Sequence, residues 1–154
     1  MDKINRIVKI LKENKMTIAT AESLTGGLLS SSIVGVAGAS SVFKEGIVAY
    51  SIDAKIKRLN VLKETLDKYT DVSPNVAGEM ALNIAKLSNS NIGLSTTGNA
   101  GPTGDPVGLV YIGISINGDL EVNKLNLTGS RQEIRDKVVM IIINNLYEKI
   151  KGIE

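Results

Sequence analysis

Ser23 sits in the run Ala21-Glu22-Ser23-Leu24-Thr25-Gly26-Gly27, between an apolar strand-like stretch and a helix-like one, in a chain with neither histidine nor cysteine. A serine at a strand-to-helix junction has the geometry of a nucleophile, because backbone N–H groups of the first helical turn and of the two glycines can face a developing negative charge. Without imidazole or thiol, its base must be a lysine, a tyrosine or a carboxylate. The same residues also have a plainer reading, since Ser and Thr before a helix serve as caps and Gly-Gly makes a tight turn.

A lysine acts as a base toward serine when burial or a neighbouring cation lowers its pKa, and a tyrosine can relay the proton or hold the lysine in place. Tyr50 and Lys55 have the required types. Taken singly they are an ordinary strand tyrosine and a surface lysine; only joint placement beside Ser23 gives them a chemical role.

The elements that must achieve this placement follow from periodicity. Ile4, Ile7, Val8, Ile10 and Leu11 recur at helical spacing, and the helix ends near Asn14 before a buried strand over residues 17–21. The Ser23 segment leads into a small-residue helix over residues 25–34, then a loop to Ser41 and a second strand over residues 43–50 that delivers Tyr50. Lys55 falls on a loop or a first helical turn, with short helical pieces over residues 59–66. Ser73-Pro74 marks a helix start, Ser73 as N-cap and Pro74 in the first position, and that helix runs to residue 87 or 88. A strand over residues 92–97 leads into Gly98-Asn99-Ala100-Gly101-Pro102-Thr103-Gly104-Asp105-Pro106, a loop shaped by its glycines and prolines. Residues 107–116 and 120–127 form a hairpin around Asn117-Gly118-Asp119, and residues 128–130 introduce a final helix with Val138, Val139, Ile141, Ile142 and Leu146 on its apolar side.

Helices and strands alternate early and a hairpin closes the sheet, which predicts an α/β fold, a three-layer α/β/α sandwich with a mixed, mostly parallel sheet. Ligands of such sheets collect beyond the carboxyl ends of the strands. The Ser23 turn, the Tyr50–Lys55 segment and the residue 98–105 loop all fall at that rim. The charged run 131–137 reads as a solvated helix face.

Composition sets the outer bounds. The chain has 154 residues, the length of one domain burying about two-thirds of its unfolded surface. A net charge of +2 gives no field suited to nucleic acid or an anionic membrane, and 3% aromatic residues leave no stacking platform for single strands. A small anionic ligand fits better, and neither nucleic acid nor membrane is an expected partner. Without His or Cys, no thiolate or imidazole metal site exists; no metal and no cofactor is expected, although a carboxylate Mg²⁺ site stays open. No signal-like or membrane-length apolar run is present, so a cytoplasmic location is expected. Apolar hairpin edges point to a homo-oligomer.

The run 21–27, then Gly38-Ala39-Ser40-Ser41-Val42-Phe43, Gly46-Ile47-Val48-Ala49-Tyr50-Ser51 with Ala54-Lys55, Thr97-Gly98-Asn99-Ala100-Gly101-Pro102 and Pro106-Val107-Gly108 together resemble the CinA C-terminal domain family. The pieces come in family order over nearly the whole chain. The resemblance implies a nicotinamide-nucleotide amidase, hydrolysing the carboxamide of nicotinamide mononucleotide to nicotinate mononucleotide and ammonia in pyridine nucleotide recycling. It implies Ser23 as nucleophile, Tyr50 and Lys55 as its activating partners, and Arg131 as a polar contact that steadies the site. Substrate contacts would come from Thr25, Gly26, Gly27, Ser41, Thr97, Gly98, Asn99 and Gly101. The family pattern has Cys after the motif serine where this chain has Leu24, a packing position. The larger relatives carry a further N-terminal domain, and the chain resembles the stand-alone form. For the phosphate, Arg131, the Ser130 hydroxyl and the backbone of residues 98–101 are candidates, and the oxyanion site is expected among the amides of residues 25–27.

Two other readings use the same residues. One is a catalytically silent module that binds a pyridine nucleotide or a competence or DNA-damage partner. The other is an acyl or phosphoryl transferase built on the same loop.

Overall fold

A computed structural model describes residues 2–153. Five strands, β1 (Ile18–Glu22), β2 (Phe43–Val48), β3 (Ile92–Gly98), β4 (Leu109–Ile116) and β5 (Asp119–Asn126), form one sheet in the order β2-β1-β3-β4-β5. β1 pairs in parallel with β2 and β3, whereas β4 is antiparallel to both its neighbours. Four strands therefore run one way and β4 alone runs against them, giving the mixed, mostly parallel sheet that the order of elements predicts.

Helices α1 (Lys3–Glu13), α2 (Leu28–Val34) and α6 (Arg131–Ile150) cover one face; α3 (Ile52–Leu59), α4 (Lys63–Tyr69) and α5 (Pro74–Ser88) cover the other. Alternation along the strands builds two cores. Ile18, Leu94 and Ile112 meet Leu11, Val138 and Ile142 on the first face. Ala19 and Ala21 lie with Leu59, Val76, Met80 and Ile84 on the second. The small side chains there let α5 press close: a Cβ on Gly93 would collide with the Ala81 carbonyl, and one on Gly113 would stand 2.8 Å from that of Ala77.

Side-chain caps fix where the helices start. The Asp2 carboxylate accepts from Asn5 N at 3.0 Å, Ser51 Oγ from Ala54 N at 3.0 Å and Ser73 Oγ from Val76 N at 3.2 Å. Ser130 and Glu133 form a reciprocal capping box at α6. The expected α5 start at Ser73-Pro74 is the observed one.

Several boundaries differ from expectation: β1 runs one residue later than the expected 17–21, and of the helical pieces expected over residues 59–66, Leu59 closes α3 while α4 runs Lys63–Tyr69. α2 starts at Leu28 rather than residue 25, because Gly26 (φ 57°) and Gly27 (φ 102°) adopt left-handed backbone that no α-helix continues. β2 ends at Val48, so Tyr50 lies beyond the strand. β4 begins at Leu109, two residues later than predicted. Asn117 (φ 50°) and Gly118 (φ 88°) make the β4–β5 turn, both with the positive φ that a tight hairpin needs.

The chain leaves β1 for β2 on one side and later returns past β1 to β3 on the other. A topological switch of this kind opens a crevice beyond the carboxyl ends of β1 and β3. No described helix is long and apolar enough to cross a membrane.

Candidate active site

Ser23 follows β1 directly, and its N–H donates to the Thr96 carbonyl at 3.0 Å and to Thr96 Oγ1 at 3.3 Å, which pins it to β3. Gly26 N–H closes a turn onto the Ser23 carbonyl at 3.1 Å. The first-turn amides of α2 do not face this serine as expected. Those of Leu29 and Ser30 donate to the fully buried Glu22 carboxylate at 2.8 and 3.0 Å, and Ser30 Oγ donates to it at 2.6 Å. Glu22 therefore takes the positive end of α2 for itself. Among residues 25–27 the Gly26 amide is also committed, leaving those of Thr25 and Gly27, with Leu24 beside them, without a partner among the described residues.

Lys55 lies in the first turn of α3 and is fully buried. Its Nζ stands 2.9 Å from Ser23 Oγ, 3.0 Å from the Ala49 carbonyl and 3.2 Å from the Tyr50 carbonyl. Burial pushes its pKa down from the ordinary lysine value, and the negative charge of Asp71 opposes that by a smaller amount. Both carbonyls can only accept. A neutral amine has two hydrogens and one lone pair; with both hydrogens given to the carbonyls, the lone pair is left facing the Ser23 hydroxyl. As an ammonium, Lys55 instead gives one N–H to each of the three oxygens, Ser23 Oγ included, so the geometry accommodates both the proton-accepting and the proton-bearing form.

Tyr50 meets this pair through its backbone rather than its phenol. The side chain is 60% exposed, and its hydroxyl accepts from Arg131 Nη2 at 3.0 Å. Arg131, the first residue of α6, also donates from Nη1 to the Gly101 carbonyl at 2.6 Å, bridging the β3–β4 loop and the β2–α3 junction. Between them lies a cleft of about 160 Å³, lined by Leu24, Tyr50, Gly98, Asn99, Ala100, Thr103, Gly104 and Arg131. Gly98 belongs where it is because a Cβ would stand 2.5 Å from the Leu109 carbonyl. Asn99 Nδ2 donates to the Pro106 carbonyl at 3.1 Å and shapes its own loop.

Two expected contacts are placed elsewhere, and a third candidate doubles as a helix cap. Thr97 Oγ1 donates to the Asp71 carbonyl at 2.8 Å on the α5 face, and it is Thr96, one residue earlier on the alternating strand, that turns toward Ser23. Ser41 precedes β2 and so sits at the opposite rim, about 17 Å away over the five residues of β1; its Oγ donates to the Gly38 carbonyl. Ser130 Oγ accepts from Glu133 N at 3.2 Å as the α6 cap, which occupies an acceptor lone pair and leaves its O–H to donate. Thr25 Oγ1 pairs with Thr96 Oγ1 at 2.8 Å, a tie between turn and strand.

Glu22, Thr96 and Arg135 surround the Ser23 turn but had no role in the sequence reading. Glu22 had a signal, a carboxylate placed directly between the expected buried strand and the helix-like run, where water is excluded. Arg135 had none, since it looks like any other charge in the run 131–137. A larger concavity, about 540 Å³ between α1, α2 and α6, is lined by Ile4, Leu28, Val139 and Met140 and lies away from this chemistry. Among the described residues no three acidic groups gather to hold a metal ion.

A three-layer α/β/α frame with a serine–lysine pair at the carboxyl ends of its parallel strands defines the class of site. Residues 2–150 match the CinA C-terminal domain, and the chain belongs to that family. A CinA-like protein of Kosmotoga olearia is 54% identical over 142 residues, which are 90% of this chain and 34% of that protein. The competence damage-inducible protein A (ComA) of Klebsiella pneumoniae has a similar structure, with a TM-score of 0.95 at 28% identity over 99% of this chain and 97% of the other. The competence/damage inducible protein CihA of Agrobacterium tumefaciens gives 0.90 at 33% identity over 95% and 94%. The chain spans about a third of the length of the curated relatives it matches.

Proposed function

We propose that the chain is a serine amidohydrolase whose substrate is nicotinamide mononucleotide. The observation that carries this is the buried Lys55 Nζ, 2.9 Å from Ser23 Oγ with its other two partners both obligate acceptors. Ser23 Oγ attacks the carboxamide carbon while its proton passes to Lys55 Nζ. The tetrahedral oxyanion is met by free amides of the turn, and Lys55 returns the proton to the departing nitrogen, releasing ammonia. Water then attacks the acyl carbon as its proton passes to Lys55; the Ser23 Oγ–carbon bond breaks, Lys55 returns that proton to Ser23 Oγ, and the acid formed leaves as carboxylate, its proton going to solvent. Arg131, the first residue of the 20-residue helix α6, supports recognition of the substrate phosphate, since a cation there adds to the positive helix end. At about 160 Å³ the cleft is below the ~300 Å³ at which ligand pockets usually begin. It suits the pyridine ring, with the ribose phosphate running outward over Arg131.

The test is ammonia release from nicotinamide mononucleotide by the purified chain and by Ser23→Ala. Activity in the parent and a loss of at least ~10³-fold in the variant, with ligand binding retained, is expected. Near-normal turnover by Ser23→Ala would remove the nucleophile. No ammonia from the parent would remove the substrate.

A further inference from the structure

The Ser23 turn is held from outside by a residue to which the reaction above gives no part. Arg135, one turn into α6, donates from Nε to the Leu24 carbonyl at 2.9 Å and from Nη2 to the Thr25 carbonyl at 3.1 Å; Nη1 donates to Gln132 Oε1 at 2.8 Å. The guanidinium lies directly against Gly26, where an added Cβ would stand 3.5 Å from Nη2. Among the described residues no carboxylate forms an ion pair with it. A half-buried cation is thus clamped on two successive peptides immediately after Ser23.

A trans peptide points its C=O and N–H in opposite directions. With the Leu24 carbonyl drawn toward α6, the N–H of the same peptide, that of Thr25, is turned away from α6, and it has no acceptor within the described residues. The N–H of the second clamped peptide, that of Gly26, closes the turn onto Ser23. One clamped peptide fixes the shape of the turn and the other keeps a donor free.

Resting on the amidohydrolase reading, we propose that Arg135 is a positioning residue for the oxyanion site: it holds the Leu24–Thr25 peptide so that the Thr25 N–H meets the charge developing on the substrate oxygen. Its unpaired charge polarises the same peptide and strengthens that donor. Pre-set donors are effective because they need no reorientation as charge develops.

The test compares the parent chain with Arg135→Ala and Arg135→Lys by two probes, turnover of nicotinamide mononucleotide and the rate at which a fluorophosphonate labels Ser23. In labelling, Ser23 Oγ attacks phosphorus as its proton passes to Lys55 Nζ, a P–O bond forms, the P–F bond breaks and fluoride leaves, and the phosphoryl oxygen occupies the oxyanion site. Arg135→Ala is expected to lower both kcat and the labelling rate by about 100-fold, the scale of losing one oxyanion donor. KM, and nucleotide affinity measured in a Ser23→Ala background, should stay within about twofold. Arg135→Lys keeps the charge but cannot span both carbonyls, so it should recover only part of the rate. Added guanidinium ion should partly restore the Ala variant.

Rates within about threefold of the parent in Arg135→Ala overturn the proposal. So does a loss that appears in KM and affinity rather than kcat, which would move the guanidinium onto the substrate. A loss matched by lowered thermal stability and untouched by guanidinium overturns it as well, leaving Arg135 as a tie between helix and turn. A parent chain that labels at Ser23 but releases no ammonia sinks the substrate and leaves the labelling comparison decisive. A parent that does neither sinks both readings.

Discussion

Lys55 is held under opposing influences: burial disfavours its ammonium form, and the charge of Asp71 favours it. Lys55→Arg is therefore expected to be nearly as damaging as Lys55→Ala, because arginine keeps the cation but cannot release its proton at any working pH. Substantial recovery of kcat by Arg would make the residue a charge and not a base. On the proposed function, the acidic limb of kcat/KM is expected to report proton uptake by Lys55 in the free enzyme, activity falling as pH drops through its lowered pKa. Asp71→Asn removes the influence that holds that pKa up, and the limb should move to lower pH; a limb that stays or moves upward contradicts the assignment. At this scale the sequence displayed residue types but not surroundings. Ser23, Tyr50 and Lys55 could be gathered at one rim from strand order, and Arg131 only through the family resemblance, whereas the burial of Lys55 depends on α3 packing against α5. The use of Tyr50 through its carbonyl depends on β2 ending at Val48, before the tyrosine is reached.

Among the elements, α2 shows how a helix start can be supplied from the strand before it. Glu22 receives Leu29 N, Ser30 N and Ser30 Oγ, so the seven-residue helix is fastened to β1 by a single buried carboxylate. Glu22→Ala leaves these donors without an acceptor and should cost about 3 kcal/mol, measured by urea unfolding. Glu22→Gln is expected to cost about 1–2 kcal/mol, since its amide NH₂ must face a donor. A Gln variant as stable as the parent would show that the cap has water as a ready substitute. Helix starts written as local chemistry, such as Ser73-Pro74, could be read directly. The start of α2 could not, because Gly26 and Gly27 favour a turn as readily as close packing and the capping group lies seven residues before Leu29.

For the whole molecule, the alternation of helices and strands was enough to foresee three layers and a mixed sheet, since each element had an apolar face to bury and few ways to bury it. What crosses between layers was not foreseeable: Arg135 reaches the Ser23 turn over a separation of 111 residues, and nothing local marks it. The site is assembled from both faces, with the turn steadied from α6 and the lysine brought by α3, so an intact sheet is a condition for its chemistry. The exposed Tyr50 phenol against Arg131 has an optical consequence. The chain contains four tyrosines and no tryptophan, so its ultraviolet emission is tyrosine emission alone. Tyr69 closes α4, Tyr111 lies within β4 and Tyr147 packs beside Arg6, all away from the residues lining the cleft. A nucleotide that separates Arg131 from Tyr50 should change that emission, and Tyr50→Phe should abolish most of the change. On the proposed function, occupancy of the cleft should thus be readable in a fluorimeter without any attached dye.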